Sequence, residues 1–152
     1  MIKTVGLLTR KSGWTHARFM KHWVEVHAPL ALAVPGLRNF GVNLTRIEPG
    51  GQSSARHAHA RQDEFIWVVA GEVVLETNEG SQMLGPGACA GFRAGTGNAH
   101  RFVNNTDKDA YLLVVGDRTP LEEVSYPDID LHLRFPADGK ALFTKKDGTP
   151  YA

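Results

Sequence analysis

The chain has 152 residues, a formal net charge of +1, seven histidines and one cysteine, with 42% hydrophobic and 22% charged residues. These values suit an ordinary globular protein of one domain and argue against a nucleic-acid binder or an electrostatically held membrane protein. The lone Cys89 excludes an internal disulfide, and the longest apolar stretch, Ala28 to Leu37, is short and broken by Pro29, Pro35 and Gly36, so no transmembrane helix is expected.

No apolar signal core follows Met1, and a cytoplasmic protein is expected. Ile2, Val5, Leu7 and Leu8 make Ile2 to Thr9 β-competent, and a strand is expected there. Thr15 suits the N-cap of a helix from His16 to about His27, because Phe19, Trp23 and Val26 recur at helical spacing. Pro29 and Pro35-Gly36 limit that helix. The period then changes. Phe40, Val42 and Leu44 alternate with Gly41, Asn43 and Thr45, the period of a strand. Further strands are expected over 54–59, 64–69, 72–77, 99–104 and 110–115, separated by turn-rich segments such as Gly85-Pro86-Gly87 and Gly95-Thr96-Gly97-Asn98. Short strands at this spacing predict a sandwich or barrel. After Asp117 an extended tail packed on that barrel is expected. The period switch places a boundary near Leu37, giving a βα leader over 1–37 and a barrel with its tail over 38–152.

The segment 51–71 carries the chemistry. His57 and His59 stand two apart, so on a strand they share one face. Glu64 follows a short turn and can come from the neighbouring antiparallel strand. Two imidazoles and a carboxylate on one inner face make a divalent metal site, and His100 is a fourth candidate from a later strand. Such a set leaves coordination positions open for a substrate or dioxygen. If Glu64 faces inward, Ile66 and Val68 line the barrel with it, and Phe65 and Trp67 face out. By the same parity Phe102 and Asn104 share the inward face of His100. Ile66, Val68, Phe102, Asn104 and Arg93 are the candidate substrate-pocket residues. His16, His22 and His132 read as surface residues, and Cys89 as a small buried apolar residue.

The spacing is Gly51, five residues, His57-x-His59, four residues, Glu64, six residues, Gly71. It resembles the first motif of the cupin superfamily in full. The second cupin motif is similar to Gly87, Gly95, His100 and Asn104, with two departures. Arg93 stands where the motif has proline, and four residues rather than two separate Gly95 from His100. The resemblance implies a mainly β jelly-roll barrel with His57, His59, Glu64 and His100 as metal ligands. Phe40-Gly-Val-Asn-Leu-Thr45, Tyr126-Pro-Asp-Ile-Asp-Leu131 and Lys146-Asp-Gly-Thr-Pro-Tyr151 extend it to small bacterial single-cupin proteins, over roughly 38–152. The leader is different. Arg10-Lys-Ser-Gly, Phe19-Met-Lys-His-Trp23, His27-Ala-Pro-Leu30 and Pro35-Gly-Leu37 resemble the first strand and helix of EthD-like proteins, whose second half is absent here.

The resulting expectation is a mononuclear metal-binding cupin acting on a small molecule. Its cofactor would be one divalent transition metal (Fe, Mn, Zn, Ni or Cu), with Glu64 as ligand and acid–base group. Dioxygenase, isomerase and cyclase or decarboxylase chemistry all suit such a site, and fold does not choose among them. The alternatives are a non-catalytic module that binds or senses a small ligand, and a structural dimer with a vestigial motif. A homodimer is expected, with no nucleic-acid or membrane partner.

Overall fold

A computed structural model describes Thr15, Arg18, Lys21 and residues 40–151. The expected strand over Ile2 to Thr9, and the leader as a fold, lie outside the described residues. So does the helix from His16 to His27, apart from its start. There the Arg18 backbone N–H donates to Thr15 Oγ1 at 3.1 Å, the bond an N-cap makes. The chain divides into two units, Met1–Arg38 and Asn39–Ala152, and the account that follows concerns the second.

Among the described residues, eleven strands run in order: β1 (Phe40–Ile47), β2 (Ala58–His59), β3 (Glu64–Ala70), β4 (Val73–Thr77), β5 (Gly80–Leu84), β6 (Cys89–Phe92), β7 (Arg101–Val103), β8 (Ala110–Asp117), β9 (Glu123–Tyr126), β10 (Leu131–Arg134) and β11 (Leu142–Thr144). They form three sheets, ordered β1-β8-β3-β6, β11-β10-β9-β2 and β5-β4-β7. Every named pairing is antiparallel. This is the mainly β, cupin-type architecture expected from the sequence.

β3 shows how alternation builds the wall. Ile66 and Val68 are buried with Val73, Leu75, Leu84, Phe102 and Leu112 in one core. Phe65, Trp67 and Val69 are exposed on the other face. Register aligns Phe65 with Val115, which pairs in turn with Val42, and Trp67 with Leu113, which pairs with Leu44. The outer face of this sheet is therefore apolar, and Phe40, Val42 and Leu44 are exposed on it. β3 ends at Gly71, whose φ is +74° and whose missing Cβ would lie 2.5 Å from the Asp109 carbonyl oxygen. Only glycine fits a left-handed turn pressed against another backbone.

Four expectations are revised. The strand expected over 54–59 shrinks to Ala58–His59, because 53–56 bend and Ser54 Oγ bonds locally to His57 Nδ1 at 3.1 Å. β5 and β6 are strands that periodicity did not mark. β6 reads Cys-Ala-Gly-Phe, too short and small to signal a strand, and exists by pairing with β3. Cys89 is exposed, not buried. It pairs with outward-facing Trp67, so the same parity that turns Phe92 toward the site turns Cys89 out. The tail is not a simple extended segment but three strands, joined to the rest through β2 and β9.

Candidate metal centre

His57, His59 and Glu64 are placed by three different backbone devices. His57 forms an isolated bridge with His100, whose N–H donates to the His57 carbonyl at 2.8 Å while the His57 N–H donates to that of His100 at 3.1 Å. One residue later the chain changes partner, and β2 sets His59 opposite Val124 of β9. Glu64 opens β3, paired with Phe92 on one side and Gly116 on the other. Segments remote in sequence thus converge, and one ligand atom from each of His57, His59 and Glu64 lies within 4.8 Å of the others.

His100 closes the site. Its Nε2 lies 2.7 Å from Glu64 Oε2, and its ring stacks flat on Phe92 with centroids 3.5 Å apart. The His57 ring is 4.9 Å from His100, 5.0 Å from His59 and 5.9 Å from Tyr126. All four residues expected from the sequence as metal-site groups are therefore brought together, with His100 through its bond to Glu64.

The electrostatics favour a cation. Burial, then the neighbouring His100, pushes the His57 imidazole down to about 4, so it is neutral near pH 7. Its Nδ1 lies 3.0 Å from the Ala55 carbonyl; a proton there leaves Nε2 as the free lone pair. Burial pushes the Glu64 carboxyl up. The hydrogen bond from His100 and the charges of His100, His59 and His57 outweigh it, so the group lies below its ordinary value. Nδ1 of His59 and of His100 are both buried without a hydrogen-bond partner. The neutral His57 imidazole, the ionised Glu64 carboxylate and the orphaned Nδ1 of His100 fit a divalent transition metal.

The candidate pocket residues divide. Ile66, Val68 and Phe102 are buried in the core cluster, with Phe102 edge-on to Phe92 and His100. Asn104 is fully buried, but its amide donates to the carbonyls of Ile47 and Lys108 and its oxygen accepts from Thr106, so its polar groups hold the chain together. Arg93 is exposed in the turn after β6. Sequence reasoning missed Phe92, Tyr126 and Glu122. Phe92 was legible in principle, by parity from Glu64 across β6; the other two sit in the tail, where Tyr126 was read only as part of the family-like run 126–131 and nothing marked Glu122.

A cavity of about 290 Å³ is lined by Ala99, the residue before His100, by Tyr126, whose ring lies 5.9 Å from His57, and by Ser125, Pro127, Leu131, His132 and Lys146. Burial raises the Tyr126 phenol, which therefore stays protonated at neutral pH.

Comparison with known proteins agrees with this fold. Residues 43–116 match the Cupin_2 (Cupin domain) family model, and residues 11–70 match the EthD domain model. The two overlap over 43–70, where the described chain runs from β1 through β3. No curated protein matches. Among solved structures, a sugar phosphate isomerase from a cupin superfamily, from Silicibacter pomeroyi, is 50% identical, covering 77% of this chain and 74% of its own, with a TM-score of 0.71. A putative sugar phosphate isomerase from Acidithiobacillus ferrooxidans is 27% identical over the same shares, with a TM-score of 0.66. The polyketide cyclase RemF from Streptomyces resistomycificus shares the fold at 22% identity, covering 62% of this chain and 64% of its own, with a TM-score of 0.52. With half of the aligned residues identical over about three quarters of both chains, and residues 43–116 matching the cupin domain model, the protein belongs to the cupin superfamily.

Proposed function

We propose that this protein is a metal-dependent cupin enzyme that isomerises a small sugar-phosphate-like molecule, with His57, His59, Glu64 and His100 as the metal ligands. The observation that carries the reading is the convergence of His57, His59 and Glu64 within 4.8 Å beside a cavity walled by Tyr126. The names of the 50% and 27% identical structures favour isomerisation over dioxygenase, cyclase or decarboxylase chemistry.

Aldose–ketose isomerisation moves one proton between adjacent carbons and a second between their oxygens, so that hydroxyl and carbonyl exchange places. A divalent metal at this site would polarise the carbonyl oxygen and acidify the neighbouring C–H. The chain's own groups divide the remaining work. Glu64, ionised and bonded to His100, is the carboxylate able to accept a proton. Tyr126, protonated and half-buried, is a donor toward a substrate hydroxyl or carbonyl. At the cavity wall the Lys146 ammonium offers a cationic donor to an anionic group and already reaches the Pro127 carbonyl at 3.1 Å, and the His132 ring lies on the same wall.

The test strips the protein with chelator and reloads it with Fe, Mn, Zn, Ni or Cu singly. Aldose and ketose phosphates are then followed by NMR in D2O. Metal-dependent interconversion with deuterium entering at carbon is expected. Failure of the protein to take up any metal stoichiometrically overturns the metal site. Uptake without turnover of any sugar phosphate overturns the isomerase and leaves a ligand-binding module.

A further inference from the structure

We infer that Glu122 is a positioning residue for the metal centre: its buried carboxylate faces His59 Nδ1 and holds that ring with Nε2 toward His57 and Glu64. The inference rests on the metal-site reading above and adds a residue outside both cupin motifs.

Glu122 is 1% exposed, an unusual place for a carboxylate. Its oxygens accept from the backbone N–H groups of Ala60 at 2.8 Å, Arg61 at 3.2 Å and Glu123 at 3.1 Å. Ala60 and Arg61 directly follow His59, so the carboxylate grips the chain at the ligand itself. Among the described residues, the basic side chain within ion-pair distance of Glu122 is His59, with Nδ1 3.7 Å from Oε1. That Nδ1 is buried and has no hydrogen-bond partner. An orphaned ring nitrogen facing an anion stripped of water belongs in its protonated, donor form, and the other nitrogen is then the lone pair for a metal.

A second observation is independent of the ring. Leu121, immediately before Glu122, has φ +59°, a left-handed conformation that a residue with a branched side chain rarely adopts. Backbone strain of this kind persists where the surroundings over-determine it. Here the Glu122 carbonyl accepts from Phe135 N–H at 2.8 Å while its side chain is committed to 60–61, so the residue is fixed at both ends. A carboxylate serving only to tie the loop would not need an unpaired imidazole as its neighbour.

Two measurements test this. In the wild-type protein loaded with Zn2+, long-range proton–nitrogen NMR should find the His59 proton on Nδ1; a deprotonated, metal-bound Nδ1 overturns the inference. In Glu122→Gln, which keeps the volume and an acceptor oxygen, Co2+ affinity should fall by about 10–100-fold and the visible absorption of the bound ion should change. The melting temperature of the metal-free variant is recorded separately, since a purely structural role would move that value alone. A folded variant with unchanged affinity and spectrum overturns the inference. If the variant does not fold, the NMR assignment decides. If the wild type binds neither ion, it is the metal-site reading that has failed.

Discussion

The ligand-bearing strands and the C-terminal sheet reach the same site by different means. β2 with the bridge residue just before it, β3 and the residue leading into β7 carry the four candidate ligands at spacings fixed along the chain. The C-terminal strands β9, β10 and β11, which share a sheet with β2, carry no candidate ligand themselves, yet β9 puts Tyr126 beside His57, and the residue just before it, Glu122, lies beside His59. The first region is organised by motif and alternation, the second by burial and contact. A site of this kind needs both, because ligand atoms must be held in place by groups that themselves cannot move.

The largest effect should come from the ligand strands. His57→Ala with His59→Ala removes two of the three groups that lie within 4.8 Å of one another, and stoichiometric metal uptake should be lost, read by elemental analysis after dialysis. Full occupancy in that variant would move the metal to another part of the molecule and erase the contrast between the two regions.

Acid should expose the same strands more gently. The unfolded His57 binds a proton near pH 6.5, whereas the folded one does so only near 4. Between those values the unfolded state holds more protons, so stability rises with pH and falls on acidification. For metal-free protein the loss attributable to His57 from pH 7.5 to pH 5 is about 2 kcal/mol. Glu64 adds a further loss in the same direction only at more acid pH, below its ordinary value of 4.5, because a lowered folded value gives stability that disappears as pH falls through it. Denaturant titrations at the two pH values check this, with His57→Ala as the reference that should flatten the dependence.

The smallest effect belongs to the tail. Leu121→Gly relieves a left-handed leucine that is 47% exposed, at the cost of extra freedom in the unfolded chain. A net gain of about 0.5–1 kcal/mol is expected in thermal or denaturant melts. A loss would mean that Leu121 packs more tightly than its exposure suggests, and that the tail is held by its side chains as firmly as the core.

The two regions were unequally legible. His57, His59, Glu64 and His100 stood out because a histidine pair two apart, a carboxylate five positions on and closing glycines are visible in one dimension. Ile66 and Val68 followed from Glu64 by alternation, and both are buried. Gly71 was visible as a motif position, but its reason, a backbone oxygen where a Cβ would sit, was not. Asn104 shared the inward parity of His100 and proved to be a backbone clamp, because parity fixes a face without fixing partners.

The sequence by itself determined the barrel class, the alternation of β3 and the identity of the four residues that meet at the site. These are local quantities, set by period and spacing along the chain. Only the tertiary structure decided that β6 is a strand, that Cys89 faces out, that Phe92 stacks on His100, and that a glutamate 62 residues beyond Ala60 closes around its amide. Those outcomes depend on which distant segments pair. The cost of burying a carboxylate or leaving a backbone N–H unbonded is resolved only when the segments come together.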